Sequence, residues 1–259
     1  MEENKVKRKL ARGEPAIGVG VRAFRSIEAP KMMATAGFDW LFVDTEHTSF
    51  NLETAGDLCK AAIDAGITPV VRVGGLEYHL ASRALDSGAQ GVCFPHINSA
   101  EEARRAAANS KYPPQGHRSI AGGMVFTGYA PAPLEELTRW LNQETLLITM
   151  VESAEAVERA EEIAAVEGVD VLLIGTSDLS TEMGIPGQLE HPRVAEAYER
   201  VIAACRKHGK VPGMGGVYSP PLIAKRAEMG MRFILSGSDL EFLFAGARER
   251  CEAVKRLFA

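Results

Sequence analysis

The sequence has no apolar run close to the roughly eighteen residues that a membrane-spanning helix needs, so no membrane partner is expected. It has only four cysteines, Cys59, Cys93, Cys205 and Cys251, and no C-x-x-C pair, so neither a zinc site nor a disulfide framework is predicted. It also has no excess of basic residues: 29 Lys and Arg against 34 Asp and Glu give no reason to expect nucleic acid. Since no charged-then-apolar leader follows Met1, we expect a reducing cytoplasm.

The composition is that of a folded globular protein, because 259 residues that are 46% hydrophobic and 24% charged can bury a large core. Short apolar runs alternate with segments whose apolar residues recur every three or four positions, which is typical of parallel strands joined by helices. Eight such runs lie at 16–21, 40–44, 68–73, 91–95, 146–151, 169–174, 211–215 and 232–235. The pattern predicts one α/β domain over residues 1–259, a (β/α)8 TIM barrel.

A long excursion separates the fourth apolar run from the fifth. It contains Tyr112-Pro113-Pro114, Gly122-Gly123 and a helical stretch at 134–141. Such an excursion on a barrel is usually either a lid over the active site or a contact between subunits. Both interpretations are open at this point.

Charged residues are concentrated where the apolar runs end, which in a barrel is where catalytic groups lie. Burying charges without partners costs free energy, so a function explains them better than chance does. They are Asp44 at the end of the second run with Glu46 and His47 after it, Arg72 in the third, Glu152 after the fifth and Asp178 after the sixth.

Glu152 and Asp178 are the predicted metal ligands. They follow adjacent strands, whose axes lie roughly 4.8 Å apart in a sheet, so their carboxylates can converge. Two oxygen ligands suit Mg²⁺ or Mn²⁺ and leave several positions of the ion for water and substrate. The structural alternatives are that each acid caps the helix after it or pairs with Arg72.

The neighbouring polar groups predict an acid–base site. Arg72 can hold a carboxylate or a developing enolate through two parallel hydrogen bonds, with a structural salt bridge as the alternative. Asp44 and His47 are three residues apart, so we expect the carboxylate to orient the imidazole as a base. A candidate anion nest for a substrate carboxylate is formed by three backbone amides, those of Gly175, Thr176 and Ser177.

Several short sequence motifs, in a fixed order over nearly the whole chain, resemble those of a known family. The sequence resembles the HpcH/HpaI aldolase family, the class II pyruvate aldolases. Three positions depart from the common pattern: Met150 replaces a frequent glutamine, and Thr176-Ser177 replaces a proline and a small residue. The matching phrases are FVDTEH at 42–47, VRV at 71–73, GAQGV at 88–92 with Pro95, YPPQGHRS at 112–119, VES at 151–153 and IGTSDLS at 174–180.

The resemblance implies a divalent metal on Glu152 and Asp178, with a pyruvate unit chelating it and Arg72 stabilising the enolate. It implies that His47, oriented by Asp44, is the base. It also implies a homohexamer, a trimer of dimers that exchange the final helix, here residues 239–258.

The sequence therefore predicts a divalent-metal-dependent lyase, using Mg²⁺, Mn²⁺ or Co²⁺, that reversibly cleaves a 4-hydroxy-2-oxo acid to pyruvate, or a close 2-oxo acid, and an aldehyde. We expect the excursion around residues 118–129, together with a neighbouring subunit, to form the aldehyde pocket, with Arg118 as a substrate-binding residue. Two alternatives stay open: an acyl-CoA lyase of the citrate-lyase β-subunit type, and a non-catalytic barrel that binds a 2-oxo acid.

Overall fold

Eight parallel strands, each paired with its neighbours in chain order, close into a barrel in the computed structural model, which describes residues 2–120 and 125–258. This confirms the predicted (β/α)8 fold. The strands are β1 (Ala16–Val21), β2 (Trp40–Asp44), β3 (Thr68–Arg72), β4 (Gly91–Phe94), β5 (Leu146–Val151), β6 (Val171–Gly175), β7 (Val211–Gly215) and β8 (Phe233–Ser238).

Helices connect the strands and surround the barrel. In the described residues they are α1 (Lys5–Ala11), α2 (Glu28–Thr35), α3 (Leu52–Ala65), α4 (Tyr78–Asp86), α5 (Ala100–Ser110), α6 (Leu134–Glu144), α7 (Ala154–Glu158), α8 (Ala160–Ala164), α9 (Thr176–Glu182), α10 (Pro192–His208), α11 (Pro220–Met229) and α12 (Asp239–Lys255). None of these helices has the length and apolarity needed to cross a membrane.

Two predicted strands differ from the observed ones by more than one residue at an end. The sixth begins at Val171 rather than 169, and the eighth continues through Ser236-Gly237-Ser238, which look like a turn in the sequence. The register of β8 on β1 shifts between Gly18, opposite Leu235, and Gly20, opposite Ser238. This β-bulge keeps a serine- and glycine-rich segment in the strand.

The interior of the barrel is filled by side chains from alternate strand positions, and α1 closes its lower end with Val6 and Leu10. Trp40 stacks on Phe233 with ring centroids 3.9 Å apart. Gly18 faces the same ring, and a Cβ at this position would overlap it. The lower interior is therefore filled, and the cavity of the barrel lies towards the carboxyl ends of the strands.

Candidate active site at the mouth of the barrel

The site is formed by strand side chains that point alternately into and out of the barrel. Every second residue of a strand points into the barrel, so an apolar interior row continues upward into the residue at the strand end. On β2, β3 and β5 the next inward positions are Asp44, Arg72 and Glu152. The apolar residues below them are Trp40, Phe42, Val70, Leu146, Ile148 and Met150.

The facing strands contribute glycines, and these leave the space into which the charged residues point. A cavity of about 180 Å³ opens here, a size that suits a small organic acid. The strand glycines that line it come from β1, β6, β7 and β8: Gly20, Gly175, Gly215 and Gly237.

Arg72 is fixed by two carboxylates. Its Nε and Nη2 donate to Oδ1 and Oδ2 of Asp44 at 3.0 and 2.7 Å, and its Nη1 lies 3.1 Å from Oε2 of Glu46. Burial alone would raise the pKa of Asp44, but the hydrogen bonds and the charge of Arg72 outweigh it and hold that pKa below its ordinary value. The guanidinium is thus held at the cavity wall beside an ionised aspartate.

The predicted pairing of Asp44 with the His47 ring is wrong. Oδ1 of Asp44 accepts the backbone N–H of His47 at 3.2 Å, and both carboxylate oxygens already bind Arg72. Aspartate at the end of a strand commonly caps the backbone of the following turn in this way. The ring instead has Nε2 at 3.8 Å from Oε2 of Glu46, and His47 lines the cavity.

Glu152 and Asp178 approach each other at the same mouth. Glu152 is only 2% exposed, and its Oε2 accepts the backbone N–H of His96 at 2.9 Å. Asp178 lies in the first turn of α9 and lines the cavity. Burial raises the pKa of Glu152, and the nearby charge of Asp178 raises it further. The buried Glu152 carboxylate therefore lacks the compensation that a cation would give.

Neither structural alternative for these two acids holds. Ser153, not Glu152, caps α7, and Gly175 precedes α9, so Asp178 is not a cap. Within residues 2–120 and 125–258, no lysine or arginine forms an ion pair with either acid, and Arg72 pairs with Asp44 and Glu46. The two carboxylates are therefore available to a ligand.

The donor set fits a divalent cation. The mouth carries an excess of carboxylates over guanidiniums, and carboxylate oxygens are the ligands that Mg²⁺ and Mn²⁺ prefer. In the described chain no group of three or more His, Cys, Asp or Glu is arranged to hold a metal, so any ion at this mouth would have fewer than three such ligands. The carboxylates are Asp44, Glu46, Glu152 and Asp178, and the guanidiniums are Arg22 and Arg72.

Gly175 is needed for the position of Glu152. A Cβ at residue 175 would lie 2.6 Å from Oε1 of Glu152. We expect Gly175→Ala to displace this carboxylate and to weaken Mn²⁺ binding at least tenfold, measured by isothermal titration calorimetry. Gly74→Ala is the control, because a Cβ there meets nothing within 4 Å. Equal affinities in the two variants would show that Glu152 does not bind the ion.

The three residues of the predicted anion nest have different surroundings. The side chain of Thr176 is buried, and its hydroxyl donates to the carbonyl of Gly215 at 2.7 Å and lies 2.7 Å from the hydroxyl of Tyr198. Ser177 is exposed and lines the cavity together with Gly175. The Thr176 side chain thus ties β6 to β7, which leaves its backbone amide for any ligand contact.

Arg118 does not line the cavity of its own barrel, so a single chain does not bring this predicted substrate-binding residue to the site. It is 2% exposed, its Nη2 donates to Oδ1 of Asp86 at 2.6 Å, and it lies over the ring of Tyr112. Asp86 ends α4, at the opposite end of the barrel from the cavity. The long connection between β4 and β5 also reaches this end of the barrel, because α5 runs from the mouth to the opposite end.

The described part of the excursion does not form a lid over its own barrel. Phe126 packs with Ile63 and Trp140, and its carbonyl accepts the backbone N–H of Glu2. The predicted helix at 134–141 is confirmed as α6. The Gly122-Gly123 turn lies outside the described residues.

Sequence reasoning gave no role to several residues that lie in the site. Glu46 contacts Arg72 and lies near His47. His96 lies between two acids, with Nδ1 3.3 Å from Oε2 of Glu152 and Nε2 3.5 Å from Oε1 of Glu46. Arg22 is two positions beyond the inward-facing Gly20, so strand alternation was a usable signal for it. Tyr218 lies in a loop after β7, where no periodicity predicts its direction.

Comparisons with known proteins agree with this geometry. A family model described as HpcH/HpaI aldolase/citrate lyase matches residues 23–243. The chain is 38% identical to 4-hydroxy-4-methyl-2-oxoglutarate aldolase tasA of Hapsidospora irregularis, over 97% of this chain and 95% of that protein. It is 35% identical to hydroxypyruvate/pyruvate aldolase of Sagittula stellata, over 96% and 97%. The crystal structure of HpcH/HpaI aldolase from Desulfitobacterium hafniense DCB-2 matches with a TM-score of 0.92 at 31% identity, covering 96% of each chain.

Proposed function

This chain belongs to the HpcH/HpaI aldolase/citrate lyase family, and we propose on that basis that Glu152 and Asp178 hold the divalent metal ion of its active site. It is a carbon–carbon lyase that cleaves a 4-hydroxy-2-oxo acid to pyruvate, or a related 2-oxo acid, and an aldehyde. The proposal rests on one observation above all: two neighbouring carboxylates, which pair with no lysine or arginine of the described residues, lie in the same mouth as an arginine that two other carboxylates fix.

The reaction breaks the bond between C3 and C4 of the substrate. The C4 hydroxyl loses its proton as its oxygen becomes the aldehyde carbonyl, and the bonding electrons pass to C3 and the keto group as an enolate. Protonation at C3 then gives the 2-oxo acid. The protein must therefore accept one proton and stabilise one negative charge.

Arg72 stabilises the charge of the enolate in this proposal. Asp44 and Glu46 hold its guanidinium in place before substrate binds, so little reorganisation is needed as the charge develops. Glu152 and Asp178 would hold a divalent ion, Mg²⁺, Mn²⁺ or Co²⁺, which would supply Lewis-acid stabilisation of the enolate charge. The substrate carboxylate binds at the amides of Gly175, Thr176 and Ser177.

His47 accepts the proton of the C4 hydroxyl. Its ring is half exposed at the cavity, and the carboxylate of Glu46 nearby stabilises the imidazolium that forms. Asp44 fixes the backbone of His47 rather than its ring. General base catalysis of this kind typically contributes about 10² to 10⁴ in rate.

Proton exchange into pyruvate tests the enolisation half of this proposal without any aldehyde. With enzyme and Mg²⁺ in D₂O, we expect the methyl protons of pyruvate to exchange with solvent, followed by ¹H NMR. EDTA should stop the exchange, and added Mg²⁺, Mn²⁺ or Co²⁺ should restore it. Exchange at the full rate in protein stripped of metal would contradict the role of the ion.

The final helix supports an oligomer. The side chains of α12 beyond Asp239 are exposed, and so is Ile17 on the outer face of β1. Large exposed apolar patches mark protein interfaces. We therefore propose a hexamer, a trimer of dimers in which α12 packs on a second copy. The exposed apolar residues near α12 are Leu240, Phe242, Leu243, Phe244, Val254, Leu257 and Phe258.

A charge on this helix should break the assembly. We expect mass photometry to find hexamers of the unmodified protein and smaller species for Phe244→Asp. Glu199→Lys, on the exposed face of α10, is the control and should stay hexameric. A Phe244→Asp protein of unchanged mass would argue against exchange of α12. A cytoplasmic location and the absence of a nucleic-acid or membrane partner stay predictions.

A further inference from the structure

Arg22 lies at the mouth of the barrel without a role in the reaction described above. It continues the inward row of β1 that contains Gly18 and Gly20, and it lines the cavity. Because those two glycines have no side chains, nothing from β1 fills the space below its guanidinium. Arg22 thus faces the open part of the cavity.

The backbone that carries Arg22 is held firmly. The carboxylate of Asp239, which is 1% exposed, accepts the backbone N–H of Arg22 at 2.9 Å, of Ala23 at 3.0 Å and of Phe24 at 2.8 Å. Three hydrogen bonds to one buried carboxylate fix the direction of this segment. Arg22 is therefore presented to the cavity by a fixed support rather than by a free loop.

The guanidinium of Arg22 makes one long ion-pair contact among the described residues. Its contact is with Asp44, at 3.6 Å from Nε to Oδ2, and Asp44 already has a two-point pair with Arg72 at 3.0 and 2.7 Å. In residues 2–120 and 125–258 the Arg22 guanidinium forms no hydrogen bond, and the side chain is 42% exposed. Arg22 therefore places a positive charge at the site whose hydrogen-bond donors are open to a ligand.

The position of Arg22 around the barrel indicates which end of the substrate it meets. β1 is next to β2, which leads to His47, the residue that takes the proton from the C4 hydroxyl. The amides assigned to the carboxylate at C1 follow β6, with β7 and β8 in between. Arg22 therefore lies on the C4 side of the breaking bond. Tyr218 lines the cavity too, and burial raises its pKa, which keeps its hydroxyl a hydrogen-bond donor.

We propose that Arg22 binds a second carboxylate, carried on the aldehyde side of the substrate, so that the enzyme selects 4-hydroxy-2-oxo dicarboxylic acids. Arginine suits this role because its planar fork matches a carboxylate with two parallel hydrogen bonds. This inference rests on the proposed function, since it takes the direction of the substrate from the roles of His47 and the β6 amides.

Substrate pairs that differ only in the second carboxylate test the inference. One pair is 4-hydroxy-2-oxoheptanedioate and 4-hydroxy-2-oxoheptanoate, and the shorter pair is 4-hydroxy-2-oxoglutarate and 4-hydroxy-2-oxopentanoate. For at least one pair we expect kcat/KM of the unmodified enzyme to favour the diacid by about tenfold to a hundredfold, the usual worth of a hydrogen bond to a charged group. Arg22→Gln should bring that ratio close to one, and Arg22→Lys should restore part of it.

Arg25→Gln is the matched control, because Arg25 lies three residues further along and donates to the carbonyl of Ser49. It should keep the diacid preference. The inference is overturned if the unmodified enzyme shows no preference in either pair, or if Arg22→Gln leaves the preference intact. Proton exchange into pyruvate distinguishes failure of this inference from failure of the proposed function. If pyruvate does not exchange, both the proposed function and the role of Arg22 are contradicted. If pyruvate exchanges normally but the diacid is not preferred, only the role of Arg22 is contradicted.

Discussion

Arg72→Lys should lower kcat for retro-aldol cleavage by about 10²- to 10³-fold, the range found when one preorganised donor to a developing oxyanion is lost. Lysine keeps the positive charge but not the planar fork that binds Asp44 at two points and reaches Glu46 at the same time. The measurement is steady-state cleavage with pyruvate release coupled to lactate dehydrogenase.

Lysine is a sharper test of Arg72 than alanine. Arg72→Ala leaves the buried Asp44 without its main partner, a change that costs roughly 3 to 5 kcal/mol when it strands a buried charge. Arg226→Lys is the control, because Arg226 is also buried, lies over the ring of Tyr198 and does not line the cavity. If folded Arg72→Lys kept full turnover, the planar guanidinium of Arg72 would not be needed for catalysis.

Glu152→Gln should reduce cleavage by about 10³-fold or more, because the several kcal/mol that a bound metal ion contributes are lost with its ligand. Glutamine keeps the shape of the side chain and can still accept the backbone N–H of His96. The fold should persist, because the change removes a charge whose burial raises its pKa. Asp178→Asn should act in the same direction.

Glu144→Gln is the matched control for Glu152→Gln. Glu144 is a buried acid at the end of α6, where it pairs with Arg8, and it lies outside the cavity. We expect it to change stability without changing cleavage by folded enzyme. Full activity of Glu152→Gln at saturating Mg²⁺ would mean that another group holds the ion.

The fold and the charged half of the site were readable from the sequence. Alternation along β2, β3 and β5 places Asp44, Arg72 and Glu152 on the inward face, because the side-chain period of a strand is two. Parallel strands all end at the same mouth, so these residues had to meet. The glycines of the facing strands can be read from the sequence. Only the closed barrel shows that they face the charged residues and leave space for them.

The differences between prediction and structure came from regions without periodicity. Arg118 follows a helix that runs away from the mouth, and the sequence of a long connection does not show which end of the barrel it covers. The partner of the His47 ring depends on how one turn closes after β2, where two acids, Asp44 and Glu46, were within reach. The bulge between β1 and β8 lengthened the last strand into a segment with turn-like composition.

The most direct test of the site is Mn²⁺ binding measured by electron paramagnetic resonance, with and without pyruvate. The geometry predicts one Mn²⁺ per chain in the unmodified protein, a change in its spectrum when pyruvate is added, and at least a hundredfold weaker binding in the Glu152→Gln/Asp178→Asn double variant. If the double variant binds Mn²⁺ as tightly as the unmodified protein and gives the same response to pyruvate, these two carboxylates do not form the metal site.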